Sequence, residues 1–314
     1  MYSGKITDVS GVLVGHAQDY QAMTGVTCVY FPGGAVGGVD VRGGGPGTRE
    51  TDALEPGRLV EKINAFVLTG GSAFGLDAAG GVMQALERQG EGYDTGFAKV
   101  PIVPAAVLYD LGIGSSKVRP DAAMGASAFA NCSAQCEQGV IGAGTGATTG
   151  KLARGMRPFK SGVGTASLKL PGGATIGAIA AVNAAGDVYD PHTGELIGGA
   201  STPDGRMICA GDALYAANAI SDFSGNTTIG VIATDARLNR EQTNRLAMLA
   251  HDGYARAIRP VHLPIDGDTV FAASTGVHDA DFLMICAFAA EVMARAVANA
   301  AYAAREQTAH GRQA

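Results

Sequence analysis

The segment Gly225-Asn226-Thr227-Thr228-Ile229-Gly230 opens an apolar run that continues through Val231-Ile232-Ala233-Thr234-Asp235. If the bond before Thr227 is cut, that residue gains a free α-amino group beside its hydroxyl, and the amine can act as base for its own nucleophile. The commoner meaning of such a threonine is a plain strand start. Asp266-Gly267-Asp268 stands before a second apolar run. Asp-Gly pairs are ordinarily turns, yet two carboxylates this close can also hold and polarise a hydroxyl or an ammonium. Asn183 closes the apolar stretch Ile176-Gly177-Ala178-Ile179-Ala180-Ala181-Val182. A buried amide must find partners. It either satisfies nearby backbone, which is the default, or aims its NH₂ at a developing oxyanion, a contact whose loss elsewhere costs roughly 3 to 4 kcal/mol.

Two further segments imitate known catalytic loops and fail the templates. Gly142-Ala143-Gly144-Thr145-Gly146-Ala147-Thr148-Thr149-Gly150-Lys151 has Thr145 and Leu152 where a Walker motif needs Gly and Ser or Thr. What is left is a glycine-rich turn presenting Lys151, and a lone lysine there is ordinarily a solvated charge. Leu68-Thr69-Gly70-Gly71-Ser72-Ala73-Phe74-Gly75 places Phe74 where a nucleophile elbow needs Gly. Ser72 therefore reads as a helix N-cap.

These residues need elements to position them. Residues 26–31, 65–69, 102–108, 163–170, 175–183 and 268–273 read as strands, and 72–88 and 121–131 as helices. Ala184-Ala185-Gly186-Asp187 reads as a hairpin turn returning to Val188 and Tyr189. After the Thr227 strand, Leu246, Leu249, Ala250, Gly253, Tyr254, Ala257 and Ile258 share one helical face. Asn239 with Gln242 forms a capping pair, and Pro260 ends that helix. A loop is expected near residues 198–205, and a frayed tail from Glu306. Helices mixed with strands in no strict alternation favour a layered α/β or α+β fold.

Composition sets the limits. The chain has 314 residues, 46% apolar and 17% charged, which suits one large core or two intimate ones. A net charge of −6 without a Lys/Arg cluster argues against nucleic-acid binding. The stretch 282–304 is apolar, but Glu291 and Arg295 interrupt it at i,i+4 spacing, so it reads as a buried helix and no membrane partner is expected. The first residues lack a signal-peptide pattern, and a cytoplasmic location is expected. Cys28, Cys132, Cys136, Cys209 and Cys286 suggest neither a disulfide framework nor a zinc site. His16, His192, His251, His262, His278 and His310 show no metal-ligand spacing; they read as structural or exposed, and no metal or cofactor is expected.

Taken together, the chain resembles the P1 family of peptidases, which includes L-aminopeptidase D-esterases, β-peptidyl aminopeptidases and the nylon-oligomer endo-hydrolase. The resemblance runs from Ile6-Thr7-Asp8 to the helix at Glu291. It is carried by Gly34-Ala35-Val36-Gly37-Gly38-Val39-Asp40-Val41-Arg42-Gly43-Gly44, the Leu68 to Gly75 turn, Tyr109-Asp110, Gly144 to Lys151, Val182-Asn183, Asn226-Thr227-Thr228-Ile229 and Asp266-Gly267-Asp268-Thr269-Val270-Phe271.

The resemblance implies a four-layer α-β-β-α sandwich and self-cleavage between Asn226 and Thr227. A large subunit, 1–226, and a small subunit, 227–314, would stay folded as one globular domain. The cut follows an N-to-O acyl shift, after which Thr227 is nucleophile and its amine the base. By the same resemblance Asn183 is the oxyanion-side amide, Tyr109 binds at the substrate carbonyl, and Lys151, Asp266 and Asp268 surround the nucleophile. The β-peptidyl aminopeptidases carry Ser and Glu at the two Asp positions, so the chain departs from them there. The implied substrate is a small amide or peptide, and the implied assembly a homotetramer of processed chains. Two alternatives stand beside this reading: an acyl transferase like the ornithine acetyltransferases, and an unprocessed, non-enzymatic binding protein of the same fold.

Overall fold

The computed structural model describes residues 1–202, 204, 206–217 and 225–309. Nine strands form its main sheet: β1 (Leu13–Asp19), β2 (Thr24–Val41), β3 (Thr48–Arg49), β4 (Lys62–Thr69), β5 (Ala105–Val107), β6 (Val163–Lys169), β7 (Thr175–Asn183), β8 (Thr227–Ala236) and β9 (Thr269–His278). The order is β6-β7-β8-β9-β2-β4-β5-β3, with β1 also on β2. The described residues form five α-helices, α1 (Asp77–Arg88), α2 (Ala122–Ala130), α3 (Ala210–Ala217), α4 (Arg240–Ala257) and α5 (Phe282–Ala309), of which α1, α2, α4 and α5 cover the sheet.

The sheet folds upon itself along β2. Residues 26–30 of that strand pair with β1 and β4, whereas residues 36–41 pair with β9. Between these halves lies Phe31-Pro32-Gly33-Gly34, where both glycines take φ near +80° and the register with β4 shifts. The strand expected over residues 26–31 is thus part of the first half of an 18-residue one. Pro32 and two glycines look like a strand end locally, but the chain bends there and resumes pairing with a new neighbour.

Folding produces three cores and hence four layers. Val29, Phe31, Phe66 and Leu68 from one half meet Ile179, Ile229, Val231 and Phe271 from the other. The Phe66 and Phe271 rings stack across the gap with centroids 4.6 Å apart. The alternate residues point outward: Cys28, Tyr30, Ala65 and Val67 toward α1 and α2, and Ala178, Ala180, Ile232 and Val270 toward α4 and α5. Strands buried on both faces need apolar residues at every position, which is why their sequences run continuously apolar rather than alternating. The expected α-β-β-α sandwich is the fold observed.

α4 begins as its sequence implies. Asn239 accepts from Gln242 N–H while the Gln242 side chain accepts from Asn239 N–H, a complete capping box. Gly253 lets α4 approach α5, since a Cβ there would lie 2.5 Å from Ala290 O. α5 is, among the described residues, the helix long and apolar enough to cross a membrane. Here it buries Ile285, Ala289, Val292 and Met293 against the sheet, and Glu291 pairs with Arg295 at 2.7 Å and Arg256 at 2.6 Å.

Four local expectations are corrected. Residues 184–187 make no hairpin: Asp187–Tyr189 pairs instead with Leu196–Gly198 and Ile258–Arg259, because both edges of β7 are already taken by β6 and β8. The 72–88 helix starts at Asp77, after a 3₁₀ turn at Ser72–Leu76 in which Ser72 takes φ +54° and caps nothing. The loop at 198–205 carries a short strand, Ala200–Ser201, with residues 203 and 205 outside the described set. Helix α5 runs past Glu306 to Ala309, held where Gln307 accepts the Val140 N–H at 2.7 Å, and residues 310–314 lie outside the description.

Candidate active site

Sheet register brings the candidate residues together. Thr227, first residue of β8, stands opposite Asn183, last residue of β7. On the other side β9 runs parallel to β8, and the residue before β8, Asn226, bridges to Asp266 just before β9. Gly267 is required at this junction, since a Cβ there would sit 2.7 Å from Thr227 Oγ1. The Asp-Gly-Asp spacing thus lets the loop close onto the hydroxyl.

The glycine-rich turn delivers Lys151 from a third direction. Gly150 N–H and Lys151 N–H donate to Gly186 O and Ala185 O, laying the turn beside the end of β7. Lys151 is buried, not the solvated charge its context suggested, and its Nζ donates to Asn183 Oδ1 at 2.8 Å, Asn183 O at 3.1 Å and Gly225 O at 3.4 Å. Burial pushes its pKa down to about 7, with nearby Asp266 pulling the other way and Lys160 adding to the fall. Asn183 Oδ1 also accepts Thr148 N–H at 3.0 Å, and its Nδ2 donates to Tyr109 O at 2.9 Å. Its amide therefore does satisfy backbone, the default reading, while standing within the site. Tyr109 packs its ring against Gly225, where any side chain would collide with it.

The two carboxylates have different surroundings. Asp268 is fully engaged: Oδ1 accepts Thr228 N–H at 2.7 Å and Oδ2 lies 2.8 Å from His262 Nδ1. Asp266 accepts Leu263 N–H on Oδ2 at 3.0 Å, and its Oδ1 is buried without a partner among the described residues. Burial, then the charge of Asp268, raises the Asp266 pKa to about 6. Thr227 Oγ1 contacts the carbonyl oxygen of Asn226. The Asn226 side chain is buried with neither Oδ1 nor Nδ2 bonded to a described group.

Beside these residues lies a cleft of about 170 Å³ lined by Pro46, Ser72, Val107, Tyr109, Asn226, Thr227 and Ile265. A larger cavity, about 530 Å³, lies among Arg58, Leu59, Lys62 and Tyr93 and touches none of the candidate residues. The smaller one is the cleft that Thr227, Asn226 and Tyr109 share. No three His, Cys, Asp or Glu side chains among the described residues gather as metal ligands.

Sequence reasoning missed three contributors. Lys160 lies half-buried beneath the glycine-rich turn, its Nζ donating to Thr145 O at 2.7 Å and Ala147 O at 3.0 Å, and desolvation there lowers its pKa to about 7. His262, grouped with histidines thought structural or exposed, meets Asp268. Ser72, dismissed as a cap, forms cleft wall in a left-handed conformation of the kind that concentrates at functional sites. No spacing in the sequence announces the first two. The break of template at Phe74 hid the third.

Comparison with known proteins follows the same lines. The model of peptidase family S58 matches residues 4–314. A protein named as an uncharacterised aminopeptidase of Mycobacterium tuberculosis is 48% identical over 288 residues, covering 86% of this chain and 81% of that one. A 6-aminohexanoate-oligomer endohydrolase of a Kocuria species is 34% identical over 273 residues, covering 85% and 74% respectively. Among solved structures, the L-aminopeptidase D-Ala-esterase/amidase of Ochrobactrum anthropi, described as a variant of the Ntn hydrolase fold, superposes with a TM-score of 0.68 at 22% identity, over 96% of this chain and 86% of that one. A Burkholderia β-aminopeptidase superposes at 0.67 with 24% identity, over 94% and 85%. At those identities the structures speak for the fold alone, whereas the family match and the relatives above 30% speak for descent: the chain belongs to peptidase family S58 and is a hydrolase of amide bonds.

Proposed function

We propose that the chain is an autoprocessed N-terminal-nucleophile hydrolase that cuts its own bond between Asn226 and Thr227 and then uses Thr227 on small amides or peptides. The observation that carries this reading is the Thr227 hydroxyl lying against the carbonyl of Asn226, enclosed with a lysine of pKa about 7 and a carboxylate of pKa about 6. Either neutral Lys151 or ionised Asp266 takes the hydroxyl proton as Oγ1 attacks the Asn226 carbonyl carbon. The carbon–nitrogen bond then breaks, the proton passes to the departing Thr227 nitrogen, and water hydrolyses the ester. This leaves Asn226 as a carboxylate, Thr227 with a free amine, and subunits 1–226 and 227–314 in one fold. A substrate amide would meet the same groups, with the new amine, unperturbed near 7.7 to 8.0, as base. Asn183 and Tyr109 flank the place where its carbonyl would sit. Processed chains would assemble as a homotetramer, a mass readable by light scattering.

Denaturing electrophoresis with N-terminal sequencing tests the cut, and an amide panel tests the chemistry. Wild type should yield two bands, the smaller starting at Thr227, while Thr227→Ala stays whole and inactive. A wild type that remains one band, with amide turnover equal to that of Thr227→Ala, would sink the reading. The relatives carry the names of aminopeptidases and of 6-aminohexanoate-oligomer endohydrolases, so the panel should span D-amino-acid amides, β-peptides, ordinary peptides and 6-aminohexanoate oligomers.

A further inference from the structure

The loop leading to β9 turns His262 onto Asp268 from behind the cleft. Two groups of this residue meet one oxygen: Nδ1 at 2.8 Å and the backbone N–H at 3.2 Å from Asp268 Oδ2. The other oxygen of Asp268 accepts the Thr228 N–H at 2.7 Å. A chain of contacts therefore runs from His262 through Asp268 to the residue next to Thr227. Its anchor is held in an unusual way. His262 takes φ +57°, a left-handed conformation that a residue bearing a Cβ adopts only where its surroundings compel it. Its ring packs against His251, with centroids 4.9 Å apart, and against Tyr254 at 6.3 Å, both from α4. Nε2 is buried and has no hydrogen-bond partner among the described residues, so the ring's polar contact with its surroundings runs through Nδ1 to the carboxylate.

We propose that His262 is a positioning residue of the amide-cleaving centre: it clamps Asp268, which holds the head of β8 and Thr227 in place, and it compensates the Asp268 charge beside Asp266. The proposal rests on the reading of Thr227 as nucleophile.

The groups facing this pair fix the expected electrostatics. From α4, His251 is kept neutral by burial, with its pKa lowered to about 4, and Tyr254 is kept un-ionised, its pKa pushed well up by burial and by Asp268. Asp40, near the end of β2, and Arg42, just after it, stand beyond His251, whose Nε2 lies 2.9 Å from Asp40 O. On its own loop His262 acts on Asp266, whose pKa Asp268 raises and His262 and Lys151 lower. Removing the imidazole leaves Asp268 uncompensated, so Asp266 should hold its proton to higher pH.

The chain's own Asn226–Thr227 bond serves as the probe. Full-length protein made by cell-free translation is followed by denaturing electrophoresis across pH 5 to 9, for wild type, His262→Ala and His262→Asn. Asn places an amide N–H near the Nδ1 position but carries no titratable ring. Cleavage by His262→Ala should slow at least about tenfold at neutral pH, and its acid limb should move up by about half a pH unit or more. His262→Asn should recover much of the rate. Wild-type rates and an unmoved limb in both variants overturn the proposal. A rate lost equally in both, with the limb unmoved, also overturns it, since that is what a merely structural histidine gives. If His262→Ala fails to show a cooperative melt, His262→Asn decides. A wild-type chain that stays whole at every pH overturns the nucleophile reading and this proposal together, whereas a wild type that cuts alongside unaffected variants overturns this proposal alone.

Discussion

Both ends of β8 are lined by buried polar residues, yet only one end has them all satisfied. At the C-terminal end Thr234 Oγ1 donates to Thr175 O at 2.8 Å and Asp235 accepts Thr175 N–H at 2.7 Å. Ser274 on the neighbouring strand donates to Ala236 O at 2.6 Å and accepts Leu238 N–H at 3.0 Å. At the N-terminal end, Asn226 Oδ1 and Nδ2, Thr228 Oγ1, Asp266 Oδ1 and the hydroxyls of Thr148 and Thr149 have no partner among the described residues. Folded chains pair nearly all buried polar groups, and each one left alone costs about 1 to 3 kcal/mol. The same strand therefore closes its sheet at one end and holds groups in readiness at the other. Stability is concentrated where no chemistry is proposed, and frustration where it is.

The largest expected effect comes from the frustrated end. Lys151→Met should slow self-cleavage by about a hundredfold or more, the scale on which a positioned acid or base acts. It should nevertheless fold. Because burial holds the native Lys151 pKa near 7, against the usual 10.5 of an exposed lysine, the unfolded chain binds the extra proton between those limits and stability rises with pH there. Denaturant unfolding from pH 6 to 10 should show that slope in a cleavage-inactive Thr227→Ala background, reduced but not abolished by adding Lys151→Met, since Lys160 titrates in the same sense. An unchanged slope would count against a buried Lys151.

At the satisfied end the signs reverse. Thr234→Val removes the bond to Thr175 O and strips Ala236 N–H of its acceptor at 3.1 Å, so it should cost about 1 to 3 kcal/mol in chemical denaturation while leaving cleavage intact. Loss of cleavage at full stability would erase the distinction between the two ends. The smallest effect is expected of Thr228→Val. Its hydroxyl has no partner among the described residues and its N–H bond to Asp268 survives, so replacing that buried, unpaired hydroxyl with a methyl should raise stability by about 1 kcal/mol, the low end of what such a group costs. Cleavage should continue, because Thr228 is not the nucleophile.

Particular elements show why some of this was legible in the sequence. The capping box at Asn239 and Gln242 and the apolar face of α4 are decided by neighbours three and four residues apart, so the sequence states them directly. The bend in β2 was hidden because Pro32-Gly33-Gly34 looks the same whether a strand stops or turns onto a new partner. The hairpin at residues 184–187 failed because turn chemistry is local while pairing depends on free edges, and β7 had none. Family motifs located Thr227, Asn183, Lys151, Tyr109 and the two Asp. The residues supporting them, Lys160 and His262, act through contacts that leave no spacing behind.

By itself the sequence determined which residue types stand at strand heads and turns, the helix with its cap, and the continuous apolar strands that require a sheet buried on both faces. It fixed these because backbone preference and side-chain periodicity operate within a few residues. Only the tertiary structure decided that Lys151 is buried and of lowered pKa, that one Asp266 oxygen has no partner among the described residues while Asp268 is clamped, and that Ser72 faces the cleft. Charge state, hydrogen-bond satisfaction and exposure are properties of what surrounds a group, and here the surroundings come from other segments of the chain, as Asn183 and Gly225 do for Lys151 and Thr228 does for Asp268.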